Sequence, residues 1–80
     1  MRNRYLERLE RQVRVCIKGS NINNYLKRVI AKKINIIRII PVSYKEVHVI
    51  LSLREYKRLV KLKSIYEISI IEYMGSKKIE

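Results

Sequence analysis

Eighty residues suffice for one compact domain, and a hydrophobic content of 48% places the chain among folded proteins, away from disordered tails. Nineteen Lys and Arg against seven acidic residues give a formal net charge of +12, which favours an anionic partner such as nucleic acid or acidic lipid, or else simply a solvated basic surface. The single cysteine excludes an internal disulfide and a cysteine cluster for metal.

The N-terminal segment "MRNRYLERLERQV" lacks the apolar core of a signal peptide, and no uninterrupted apolar run is long enough to span a bilayer. A soluble, cytoplasmic domain is therefore expected. Residues 1–12 read as a basic arm, residues 13–75 as the folded domain and residues 76–80 as a frayed tail.

In Val13 to Lys18, Val13, Val15 and Ile17 alternate with Arg14, Cys16 and Lys18, the period of a strand with one buried face. Gly19 permits a sharp turn, and Ser20 or Asn21 can cap the helix that follows. That helix carries Ile22, Tyr25, Leu26, Val29 and Ile30 at spacings of three and four, and Lys32 and Lys33 sit where its dipole favours cations. Ile34 to Ile40 is rich in β-branched residues and predicts a second strand, with Pro41 as its stop. Its facing is open, because Ile36 and Ile40 oppose Ile37 and Ile39.

"PVSYK" is a short connection to a third strand, Glu46 to Leu53, so the pair should be an antiparallel hairpin. "SLRE", Ser52 to Glu55, fits a capping box. A second helix follows over about Arg54 to Lys63, burying Tyr56, Leu59, Val60 and Leu62. The last strand spans Tyr66 to Tyr73 with Ile68 and Ile70 inward, and Met74 and Gly75 end it. The order strand, helix, strand, strand, helix, strand predicts an α+β, ferredoxin-like βαββαβ sandwich. Both helices would cover one face of a four-stranded antiparallel sheet, with the first and third strands central.

The chain offers no catalytic constellation. His48 is the sole histidine and points away from the core on its strand, aspartate is absent, and the glutamates are scattered. With only two glycines, Gly19 and Gly75, no phosphate-cradling loop is present. A non-enzymatic protein without cofactor or metal is expected. RNA-recognition modules of this architecture stack bases on aromatics of the central strands. Here those positions hold Arg14, Cys16, Lys18, His48, Ile50 and Ser52, and the chain has neither Phe nor Trp. A small RNA- or DNA-binding domain is the alternative, limited to backbone attraction.

The face left open by the helices should present Cys16, Ile50, Ile71 and Tyr73, with either Ile36 and Ile40 or Ile37 and Ile39, as an apolar patch for protein docking or self-association. The competing reading is that the arm, through Tyr5, Leu6 and Leu9, folds across it. Positive charge concentrates at Arg2, Arg4, Arg8 and Arg11 in the arm. On the helices it is carried by Lys27, Arg28, Lys32, Lys57, Arg58 and Lys61. Such stripes are commonly solvated, but beside an acidic leaflet each group adds about 1 kcal/mol of attraction.

The run "RNRYLERLERQVRVCIKG" resembles the opening of the YqfD-type sporulation proteins of endospore-forming bacteria, with Val13, Val15 or Ile17, and Gly19 matching a V-x-V-x-x-G strand. The similarity continues through "NNYLKRVIAKKINIIRI", "REYKRLVKL" and "IIEYMG" and covers nearly the whole chain. Two departures stand out: tryptophans common in that family are replaced near Tyr5 and Ile37, and the membrane-spanning continuation of family members lies beyond this sequence. The resemblance implies the cytoplasmic N-terminal domain of a membrane-bound protein. Its role would be structural or assembly-related in the mother cell, with no catalytic residues to carry over. In that setting the basic surface would lie on the cytoplasmic side, where positive residues are favoured.

Overall fold

The computed structural model describes residues 10–62 and 65–74. Strand β1 (Gln12–Lys18) leads into helix α1 (Ile22–Ala31). Strands β2 (Arg38–Ser43) and β3 (Glu46–Ser52) form a hairpin, and helix α2 (Leu53–Val60) precedes strand β4 (Glu67–Tyr73). All pairings are antiparallel, in the order β2-β3-β1-β4. This is the expected α+β, ferredoxin-like arrangement with β1 and β3 central. Residues 1–9 of the expected arm, Gly75 at the end of the expected domain and the whole expected tail, residues 76–80, lie outside the described residues.

Alternation builds the core. Val13, Val15 and Ile17 stand opposite Leu51, Val49 and Val47, all six buried, with Ile68 and Ile70 joining from β4. Helix α1 adds Ile22, Tyr25 and Val29, and α2 adds Leu59. Ile30 is 61% exposed and Val60 is 45% exposed, so both leave the apolar faces expected of them. Each helix is short, and one stripe of side chains covers the sheet beneath it.

Four local expectations are corrected. Pro41 does not stop β2 but pairs with Val47 inside it; β2 is an edge strand, where a ladder tolerates a residue without an N–H. The strand begins at Arg38, not Ile34, because the end of α1 takes up Ile34: its amide bonds back to the Val29 carbonyl at 3.2 Å and its side chain enters the core. Asn21 caps α1 in a left-handed conformation with no side-chain bond to the helix. The capping box of α2 is half formed: the Glu55 amide donates to Ser52 Oγ at 3.2 Å. The Glu55 carboxylate turns elsewhere, accepting from the Asn35 amide at 3.2 Å and from Arg58 at 3.1 Å.

The open question of β2 facing resolves by register. Ile39 and Pro41 pair with Val49 and Val47 and so share the helix-covered side, whereas Ile40 pairs with His48 on the other.

Candidate functional site: the open sheet face and the basic helix layer

The register lays out the open face in three rows. Arg38, Ile50, Arg14 and Glu72 form one, Ile40, His48, Cys16 and Ser69 the next, and Glu46, Lys18 and Glu67 the third. This surface corrects the expectation of a greasy patch. Among the described residues its three cations face three carboxylates, and its apolar members at the centre, Cys16 and Ile50, are only 6% and 7% exposed. Tyr73 is not on this face at all. A bulge in β4 between the partners of Arg14 and Val15 inserts Ile71 as an extra residue, which reverses the alternation. Tyr73 then pairs with Val13 on the helix side, with the Arg11 guanidinium 5.8 Å from its ring centre. Ile71 itself is half exposed at the sheet edge.

A polar chain crosses the two central strands. Arg14 Nε donates to His48 Nδ1 at 3.2 Å, so the imidazole proton sits on Nε2 and is offered to Glu46 Oε2 at 3.0 Å. Cys16 Sγ donates to the same oxygen at 3.3 Å. The His48 and Cys16 hydrogen bonds hold the Glu46 carboxyl below the usual carboxylate range. Burial, then the hydrogen bond to Glu46, pushes the Cys16 thiol up. His48 thus has two oriented partners, which sequence reasoning passed over by treating it as an isolated surface group. Matching Val13, Val15 and Ile17 against Val47, Val49 and Leu51 would have placed it beside Cys16.

The charge lies on the opposite side. Lys27 and Arg28 lie on α1 with Lys32 and Lys33 just after it, and Arg54, Lys57 and Arg58 lie on α2 with Lys61 just after it; all eight are exposed, and Glu55 is the only carboxylate beside them among the described residues. Arg58 also ties the two helices together, donating to the Lys32 and Lys33 carbonyls at 3.2 and 3.5 Å. Arg11 is exposed at the start of β1, while Arg2, Arg4 and Arg8 fall outside the described residues. Between the start of α1 and the β2 edge runs an apolar groove of about 360 Å³, lined by Ile22, Leu26, Ile39, Pro41 and Tyr44 among others. No described helix is long and apolar enough to cross a membrane. The chain matches no family model, no curated protein and no solved structure.

Proposed function

We propose that this is a non-enzymatic interaction and assembly domain that lays its helix layer on an acidic membrane surface. One observation carries the reading: among the described residues the two faces differ in charge, with eight cations against one carboxylate over the helices and three against three on the open sheet. A field of one sign attracts an anionic surface and orients the domain on it, at about 1 kcal/mol per basic group near the leaflet. Exposed Ile30 and Val60 lie among those cations, the mixture of basic and apolar groups that suits a bilayer interface. The resemblance to a membrane-bound sporulation family, at the cytoplasmic face in the mother cell, agrees with this placement. The protein-docking part of the expectation loses its apolar basis on the open sheet, so the proposal rests on the helix layer.

Co-sedimentation with vesicles tests it. The domain should bind vesicles containing phosphatidylserine, fail to bind pure phosphatidylcholine, and be released as salt screens the attraction. Lys27→Glu with Lys61→Glu should abolish binding, whereas Arg38→Glu on the open face should not. Tight binding of single-stranded oligonucleotides at matched salt, without a lipid response, would transfer the helix layer to a nucleic-acid partner and overturn the proposal. Absence of binding to either would also overturn it.

A further inference from the structure

The chain has one cysteine and one histidine, and the fold sets them directly across from each other on its two central strands. Glu46, two residues from His48 on the same face, completes a trio. One sulfur, one nitrogen and one oxygen all lie within 4.8 Å of one another. We propose that Cys16, Glu46 and His48 bind a borderline divalent cation of the zinc type, leaving its fourth position open toward the exposed side of the sheet.

Zinc takes thiolate, imidazole and carboxylate ligands tetrahedrally, which places neighbouring ligand atoms about 3.3–3.6 Å apart. The Sγ–Oε2 separation of 3.3 Å and the Nε2–Oε2 separation of 3.0 Å are close to that spacing, and the Sγ–Nε2 pair, within 4.8 Å, reaches it by a side-chain rotation that draws the sulfur and the imidazole together. The donors stand on paired central strands, so the backbone that holds them is fixed by the sheet ladder. The side chains of His48 and Glu46 are 16% and 28% exposed, giving an ion a way in although Cys16 is buried. A thiolate and a carboxylate neutralise the two positive charges of the ion.

Protons balance as follows. The thiol proton leaves to water as the sulfur–metal bond forms. The metal takes the Nε2 lone pair, so the imidazole proton now on Nε2 passes through solvent to Nδ1. Arg14 must then release Nδ1, and it has a carboxylate directly across the sheet, Glu72, to turn to. Arg14 is therefore the group that competes with the ion. This separates the trio from an ordinary surface network, in which removing Arg14 would bring no gain.

The test uses the full 80-residue chain, reduced and freed of metal, titrated with Zn²⁺ against a chromophoric chelator and with Co²⁺ by absorption. One ion per chain should bind, with a thiolate-to-cobalt charge-transfer band. Cys16→Ser should abolish the band, and His48→Gln should weaken Zn²⁺ binding by about tenfold or more. Arg14→Gln should tighten it several-fold. Far-ultraviolet circular dichroism confirms that each variant is folded, and Glu46→Gln supplies a further ligand variant if Cys16→Ser is not. Failure to bind Zn²⁺ at micromolar concentration, or binding that is the same in Cys16→Ser and His48→Gln as in the parent, would overturn the site.

Discussion

His48 stands directly across from Cys16, and both reach the same carboxylate oxygen, Glu46 Oε2, at 3.0 and 3.3 Å. Burial and this acceptor raise the Cys16 thiol above its ordinary value of 9.0. A thiol whose folded value is raised adds stability that is complete below the unfolded value and is lost as pH rises through the folded one. In the metal-free protein, iodoacetamide should label Cys16 slowly, with a pH midpoint above 9.0. In Glu46→Gln the acceptor charge is gone, and the midpoint should move down. A native midpoint at or below the ordinary value would contradict the thiol–carboxylate contact.

The other half of the pair titrates in acid. The Glu46 carboxyl is lowered from its ordinary 4.5, first by His48 and then by Cys16. A lowered carboxyl contributes stability above the unfolded value that disappears as pH falls through the folded one. Melting temperature measured against pH should therefore fall more steeply below about pH 4.5 in the parent than in Glu46→Gln. Parallel acid limbs in the two proteins would exclude this contribution.

Periodicity made the sheet legible. Val13, Val15 and Ile17, and Val47, Val49 and Leu51, alternate so regularly that only one face could be buried, and the core follows them. The isoleucine run before Pro41 was not readable in the same way, since apolar residues at every position carry no phase. The register with β3 decided it. Tyr73 was misplaced for a related reason: a bulge adds a residue without leaving a mark in the side-chain types, and every position beyond it changes face. The trio of Cys16, Glu46 and His48 was hidden by sequence distance, thirty residues apart and joined only through strand pairing.

Backbone conformation at the end of α1 yields a stability prediction. The Lys33 amide bonds to the Ile30 carbonyl and the Ile34 amide to the Val29 carbonyl, at 2.9 and 3.2 Å, which is a Schellman closure. Lys33 occupies its left-handed position at φ 59°, where a side chain is strained and glycine is not. Lys33→Gly should stabilise the domain by about 0.5–1 kcal/mol, because the Lys33 carbonyl that receives Arg58 is retained. By contrast Ser52→Ala removes the oxygen that receives the Glu55 amide and should cost about 1 kcal/mol. Chemical denaturation measures both, and a loss of stability in Lys33→Gly would contradict the cap.

Gly19 is held in place by an aromatic ring. The Tyr66 hydroxyl reaches the Ser20 and Asn21 carbonyls at 2.5 and 2.8 Å, and its ring lies against Tyr25 with centroids 4.6 Å apart. These anchors press the ring onto the Gly19 backbone, where an added Cβ would overlap it, and Gly19 also sits at φ 156°. The ring cannot retreat without leaving both carbonyls and its Tyr25 neighbour. Gly19→Ala should therefore cost about 1–3 kcal/mol by overpacking. A double-mutant cycle separates the two causes: in a Tyr66→Ala background the overlap is gone and only the backbone cost remains. The penalty of Gly19→Ala should shrink there, and an unchanged penalty would assign the whole effect to φ.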